Sequence, residues 1–114
     1  MVSEKLPVPT ESDEQKVLVH WMTLNNIKFF RVPNETYTKS WKQKANNKAL
    51  GVVRGVPDLF VISNNKLIAI ELKRQKRYKT TPEQEEWIDT LNDIGIPARV
   101  CPGADKAIEF INEF

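Results

Sequence analysis

The chain has 114 residues, of which 40% are hydrophobic and 28% are charged, and its formal net charge is +2. A chain of this length supports one hydrophobic core, so two separately folded domains are not expected. The composition excludes a disordered or fibrous protein, and the longest apolar runs fall far below the roughly 18 residues of a membrane span. The single cysteine, Cys101, cannot form an internal disulfide, and the N-terminus lacks the apolar core of a secretory signal. We therefore expect a cytoplasmic protein.

The first predicted element is a helix over residues 11–25, which follows a flexible leader at residues 1–9. Thr10 and Asp13 have the spacing of a capping box, in which each side chain satisfies a backbone N–H of the other residue. Apolar residues then recur at the spacing of one helix face: Val17, Leu18, Trp21, Met22 and Leu24. Residues 28–33 predict the first strand.

Residues 34–50 lack apolar periodicity, and lysines accumulate there around two aromatic side chains. This pattern predicts a long basic loop, and long loops in compact domains are usually functional or mobile. The charge of the chain is segregated, because residues 31–48 sum to +4, residues 71–79 to +4 and residues 80–114 to −6. Such segregation is typical of a nucleic-acid-binding face opposite an acidic, solvent-facing side, and it is also a common solubility pattern.

Two β-rich runs, residues 58–63 and 66–74, flank the dipeptide Asn64-Asn65. Asparagine tolerates the positive φ angles of a two-residue hairpin turn, so the runs predict an antiparallel hairpin. The remaining predicted elements are a helix that begins after Thr81 and ends at Gly95, a strand over 98–101 and a helix over 104–114. The predicted order is α-β-β-β-α-β-α.

The hairpin brings three charged residues together at its open end. If Asn64-Asn65 is the turn, Asp58 lies directly across from Glu71, and Lys73 shares the face of Glu71. Two opposed carboxylates repel each other unless a cation lies between them, and their oxygen ligands favour Mg²⁺ or Mn²⁺. A neighbouring lysine can hold or activate a water molecule. The alternative is an exposed, salt-bridged strand end without a metal.

The motifs around these residues resemble those of a nuclease family. Gly55-Val56-Pro57-Asp58 followed by Glu71-Leu72-Lys73 is similar to the PD-(D/E)XK nuclease signature. The pattern extends over residues 51–60, 70–74 and 81–87, and it resembles the virus-type replication-repair nuclease (VRR-NUC) family from about residue 11 to about residue 111. The resemblance implies a restriction-endonuclease-like α/β fold of order αβββαβα, with a central mixed sheet flanked by helices, in one domain at residues 10–114.

The same resemblance implies a metal-dependent active site. Asp58, Glu71 and the backbone carbonyl of Leu72 would bind Mg²⁺ or Mn²⁺. Lys73 would orient or deprotonate the attacking water.

Family members also carry an acidic residue on the first helix, usually four residues before a glutamine. Gln15 makes that residue Glu11, which would also bind the metal, whereas the apolar face of the helix favours Glu14, so both are candidates. Gln84 belongs to the active-site surroundings in the family, and it is equally placed to be the capping partner of Thr81.

The resemblance further implies a DNA substrate. Basic residues of the two positive segments would contact phosphates and supply affinity with little sequence preference: Arg31, Lys39, Lys42, Lys44, Lys48, Arg54, Arg74, Lys76, Arg77 and Lys79. Stand-alone family members, typically encoded by phages, are associated with paired subunits that act on branched DNA such as four-way junctions. We therefore expect a homodimeric endonuclease that binds no membrane and no small-molecule cofactor. Tyr37, Trp41 and Phe114 are candidates for the dimer interface, and each is equally placed to stack on DNA or to pack within the chain. The rival hypothesis is a catalytically inactive module of the same fold that binds DNA junctions.

Overall fold

The computed structural model describes residues 7–33 and 40–114, so residues 1–6 of the predicted leader and residues 34–39 of the predicted basic loop lie outside the described part. The described residues form, in chain order, α1 (Glu11–Leu24), β1 (Lys28–Arg31), α2 (Trp41–Ala49), β2 (Leu59–Ser63), β3 (Lys66–Lys73), α3 (Pro82–Asp93), β4 (Ala98–Pro102) and α4 (Ala104–Ile111). Over these two ranges, no helix is both long and apolar enough to cross a bilayer.

The strands form one mixed sheet in the order β1-β2-β3-β4. β2 pairs antiparallel with both β1 and β3, whereas β3 and β4 run parallel. Helices α1 and α4 contribute Leu18, Met22 and Phe110 to the core on one face of the sheet, and α3 contributes Leu91 to a smaller cluster on the other face. The predicted α/β fold, with a central mixed sheet flanked by helices, is confirmed.

The turn between β2 and β3 sets which side chains oppose each other. Both residues of Asn64-Asn65 have positive φ angles, 49° and 64°, as a two-residue hairpin turn requires. The strand pairing that starts at this turn ends with Leu59 opposite Ile70. The predicted register is therefore confirmed, and one further step along it places Asp58 opposite Glu71.

The predicted loop over residues 34–50 is wrong for residues 41–49, because these residues form helix α2. The Ser40 side chain accepts a hydrogen bond from the Gln43 N–H (3.2 Å), and Gln43 Nε2 donates to Asn47 Oδ1 (2.7 Å). No residue of α2 is buried. An apolar stripe is the main sequence signal of a helix, and α2 lacks one because a cap and polar pairs support it instead. The observed order therefore contains one helix more than the predicted order.

The buried face of α1 is narrower than its apolar residues suggest. Leu18 and Met22 are fully buried, whereas Val17 and Leu24 are 55% and 68% exposed. The third buried residue of the helix is Glu14, one turn before Leu18. A carboxylate can occupy this core position because it has hydrogen-bond donors from other elements, described below.

The predicted C-terminal helix over 104–114 ends at Ile111 in the structure. Phe114 follows it and packs edge-to-face on Phe110, with 5.4 Å between the ring centroids. This candidate interface residue therefore packs within the chain.

Candidate functional site

Three carboxylates from three elements converge at the open end of the β2–β3 hairpin. Glu11 lies in the first turn of α1, Asp58 directly precedes β2, and Glu71 lies in β3. One carboxylate oxygen of each residue lies within 4.8 Å of the oxygens of the other two. The cluster therefore joins the opposed pair on the hairpin to a carboxylate from the first helix.

Asp58 is positioned by the loop before it and by the strands on either side. Gly55 has a φ of +86°, and a Cβ added there would lie 2.6 Å from the backbone carbonyl carbon of Glu83 in α3. Only glycine allows this approach, so the loop before Asp58 packs closely on the start of α3. The Asp58 carbonyl then accepts a hydrogen bond from the Val32 N–H (2.7 Å), and its Oδ2 accepts one from the Leu72 N–H (3.1 Å).

Glu71 is a buried carboxylate with one oxygen that lacks a donor. Its side chain is 2% exposed, and its Oε2 lies 3.7 Å from Lys73 Nζ and accepts a hydrogen bond from Gln84 Nε2 (3.4 Å). Its Oε1 has no hydrogen-bond partner among the described residues. A buried carboxylate oxygen without a hydrogen-bond partner is unfavourable, and the nearby Asp58 can share a hydrogen bond with Glu71 only when one of the two carboxyl groups is protonated. The carboxylate oxygens of the cluster are ligands that fit a hard divalent cation such as Mg²⁺ or Mn²⁺.

The acidic cluster concentrates negative charge where solvent has little access. Burial and the nearby Asp58 carboxylate raise the pKa of Glu71 from 4.5 to about 8, although the Lys73 ammonium opposes this shift. Partial burial and Asp58 also raise the pKa of Glu11, while Lys73 and Arg31 lower it. A divalent cation would relieve the repulsion that these shifts express.

Lys73 is fixed beside the cluster by the first turn of α3. Its Nζ donates a hydrogen bond to Gln84 Oε1 (3.0 Å), and its side chain is 13% exposed. The same Gln84 oxygen accepts from the Thr81 N–H (3.0 Å), and the Thr81 hydroxyl accepts from the Gln84 N–H (3.1 Å). Gln84 therefore completes the capping box of α3 and also contacts Lys73 and Glu71.

Glu14 lies outside the acidic cluster. Its Oε1 accepts a hydrogen bond from the Ala104 N–H (2.8 Å) at the start of α4, and its Oε2 accepts one from Gln75 Nε2 (2.8 Å). Of the two first-helix candidates, the structure brings only Glu11 to Asp58 and Glu71. Sequence reasoning missed Gln75, whose partner is 61 residues away along the chain and leaves no local pattern.

The predicted phosphate-contacting residues are mostly at the surface. Arg74 is partly buried and Lys39 lies outside the described residues, whereas the others are exposed: Arg31, Lys42, Lys44, Lys48, Arg54, Lys76, Arg77 and Lys79. Three of the lysines lie on α2, and Lys44 Nζ lies 5.1 Å from the centroid of the Trp41 ring. Trp41 is 83% exposed. The helix therefore presents an aromatic ring and a cationic surface to solvent.

Comparison with known proteins assigns this architecture. Residues 8–105 match the profile of the VRR-NUC domain. The chain belongs to the VRR-NUC family. It is also similar to a solved structure described as a VRR_NUC domain protein, with 27% sequence identity and a TM-score of 0.79 over 96% of this chain and 90% of that one. A search of curated proteins finds no match. The resemblance seen in the sequence motifs is thus confirmed, and the family implies a nuclease-type fold.

Proposed function

We propose that the protein is a metal-dependent DNA endonuclease that hydrolyses phosphodiester bonds. The observation that carries the proposal is the cluster of Glu11, Asp58 and Glu71, in which a buried oxygen of Glu71 lacks a donor and Lys73 lies alongside. Oxygen ligands suit a divalent cation, and a cation-assisted hydrolysis gains from a neighbouring group that positions the attacking water.

Each residue of the site has a distinct part in this proposal. Glu11, Asp58, Glu71 and the backbone carbonyl of Leu72 would hold Mg²⁺ or Mn²⁺. When bound, the cation would supply charge neutralisation at the scissile phosphate and lower the pKa of a water molecule. The Lys73 ammonium would orient the attacking water and stabilise the negative charge that develops on it and on the phosphate.

Gln84 supports the position of Lys73. Its Oε1 holds the Lys73 ammonium at 3.0 Å, and its Nε2 contacts Glu71 at 3.4 Å. The backbone of the helix start fixes Gln84 in turn, because Thr81 caps the same helix. Gln84 is therefore a positioning residue that acts through Lys73 and Glu71.

The preferred substrate in this proposal is branched DNA, cut by a homodimer. One chain carries one acidic cluster among its described residues, and one such site cuts one strand at a time. Paired cuts across a four-way junction need two sites related by symmetry. Exposed apolar residues at and after α2 support a second copy at this surface: Trp41 (83%), Leu50 (72%), Val52 (40%) and Val53 (48%). This activity would place the protein in DNA recombination or repair, in the cytoplasm of a bacterial host if a phage encodes it.

The test is cleavage of plasmid DNA and of a labelled four-way junction with Mg²⁺, Mn²⁺ or EDTA. We expect cleavage with either metal, none with EDTA, and none from Asp58→Asn or Glu71→Gln. Glu109→Gln is the matched control, because Glu109 is an exposed carboxylate on α4 whose only ion pair among the described residues is with Lys106. Junction binding without cleavage by the wild type in any metal would refute the enzyme and favour the inactive binding module. Equal cleavage by Glu71→Gln and wild type would refute the assignment of the site.

A further inference from the structure

A cleft runs along α1 on the flank that faces β1, and it starts at the acidic cluster. It has a volume of about 590 Å³, and its lining includes Glu11, Gln15, Lys16, His20 and Arg31. Four of these residues lie on α1 between positions 11 and 20, and together they span about half of the circumference of the helix. Arg31 closes the cleft from the end of β1, which is an edge strand of the sheet.

The cleft is continuous with the active site through residues at both of its walls. Glu11 belongs to the cleft and to the carboxylate cluster. Arg31 pairs with Leu59, the residue directly after Asp58, and Leu59 is buried in the core beneath α1. Because directly opposed residues point to the same face, Arg31 lies on the α1 side of the sheet.

The chemistry of the lining selects an anionic, extended ligand. Lys16 and Arg31 are exposed cations, and none of the ion pairs among the described residues involves either of them. The other polar groups of the lining include His20 and Gln15, and the one carboxylate is Glu11, at the end that meets the active site. From Glu11 to His20 the helix rises about 14 Å, several times the 3.4 Å axial spacing of phosphates on one strand of B-DNA. The cleft therefore has the length and charge to hold more than one phosphate.

We propose that the cleft between α1 and β1 binds the sugar-phosphate backbone of the DNA strand on one side of the scissile phosphate, with Arg31 nearest the cut and Lys16 and His20 farther along. The proposal rests on the proposed function for the position of the cut, and it deepens that function by assigning the path of the substrate. It adds Lys16 and His20 to the DNA interface, two residues outside the positive segments of the chain. It also gives Arg31 a place beside the reacting phosphate.

The test is phosphate-by-phosphate replacement in a labelled four-way junction. A single neutral methylphosphonate is placed at each position of one strand of one arm, and binding is measured in EDTA so that cleavage does not intervene. The protein is used as wild type, Lys16→Gln, Arg31→Gln and Lys106→Gln. Lys106→Gln is the matched control, because Lys106 is an exposed lysine on α4 outside the cleft.

We expect wild-type affinity to fall on the order of fivefold to tenfold when a methylphosphonate replaces a cleft-bound phosphate, and the salt slope to fall by about 0.9 per lost contact. In Arg31→Gln, a methylphosphonate at the cleft-bound phosphate nearest the cut should no longer reduce affinity. In Lys16→Gln, a methylphosphonate at a cleft-bound phosphate farther from the cut should no longer reduce it. Lys106→Gln should keep the wild-type pattern. If methylphosphonates reduce affinity at the same positions in wild type and in both cleft variants, the proposal that the cleft binds DNA is overturned, whether or not the protein cuts DNA.

A parallel cleavage assay with Mn²⁺ separates the two proposals. Cleavage with an unchanged interference pattern in the cleft variants overturns the cleft alone. Interference that depends on Arg31 and Lys16, without cleavage, supports the cleft and overturns the endonuclease. Absence of DNA binding in EDTA together with absence of cleavage in Mn²⁺ overturns both, and it would leave a protein partner as the occupant to test.

Discussion

Replacement of Glu71 by glutamine tests the repulsion between the buried Glu71 carboxylate and the Asp58 carboxylate. The substitution keeps the shape of the side chain and removes the buried negative charge that faces Asp58. In the metal-free protein, burial and Asp58 raise the pKa of Glu71 from 4.5 to about 8. The folded state therefore holds a proton that the unfolded chain releases at lower pH, and holding this proton stabilises the folded state. The contribution to the free energy of unfolding is complete below about pH 4.5 and is lost as pH rises through about 8.

The size of the effect follows from the two pKa values. An ordinary pKa of 4.5 and a folded-state pKa of about 8 imply that the free energy of unfolding falls by about 4 kcal/mol between about pH 5 and about pH 8.5. This value treats Glu71 as the carrier of the proton that it shares electrostatically with Asp58. Domains of this size are stable by only about 5–15 kcal/mol, so the change is large enough to measure.

The assay is urea unfolding in EDTA, followed by tryptophan fluorescence, at both pH values. Wild type and the exposed-site control Glu109→Gln should lose stability as pH rises, whereas Glu71→Gln should lose about 4 kcal/mol less. Mn²⁺ at about 100 times its dissociation constant should restore about 2.7 kcal/mol to the wild type at the higher pH, and Glu71→Gln should lack this gain. Parallel pH profiles for wild type and Glu71→Gln would refute the reasoning, because Glu71 would then carry no buried, repelled charge.

Three further predictions concern catalysis, DNA binding and assembly. Lys73→Met should reduce cleavage on the order of 10²-fold to 10⁴-fold in a gel assay while DNA affinity in EDTA stays within about threefold, and unchanged cleavage would remove Lys73 from the mechanism. Conversion of Lys42, Lys44 and Lys48 to glutamine should reduce the slope of log affinity against log salt by up to about 2.7 in fluorescence anisotropy, and an unchanged slope would place α2 away from DNA. Light scattering at micromolar concentration should give the mass of two chains for the wild type and of one chain for Trp41→Asp. A wild-type monomer that makes paired cuts in a junction would contradict the dimer.

The hairpin at the site could be predicted because its information is local. Asn64-Asn65 supplies the positive φ angles of the turn, and the turn then fixes every opposed pair up to Leu59 and Ile70. The opposition of Asp58 and Glu71 follows from two residues of turn chemistry and the period of a strand. The site therefore inherits its geometry from a short segment of the chain.

The choice between Glu11 and Glu14 could not be made from local pattern, because it depends on a contact across the chain. Glu14 points into the core since α4 and the segment after β3 supply the N–H groups of Ala104 and Gln75. Neither donor is visible from the periodicity of α1. Helix α2 escaped prediction for the opposite reason, since it buries none of its residues and so has no periodicity to detect.

The contacts that hold the three carboxylates together lie largely outside the cluster itself. Glu14 ties α1 to the start of α4, and one turn earlier on the same helix Glu11 reaches the site. Gly55 allows the loop before Asp58 to pack on α3, and β3 carries Glu71 through the middle of the sheet. Repulsion among the carboxylates is therefore opposed by packing and hydrogen bonds that do not depend on a metal. A scaffold of this kind keeps the three carboxylates close without a cation, so that binding of the proposed metal would relieve the repulsion without a large change of structure.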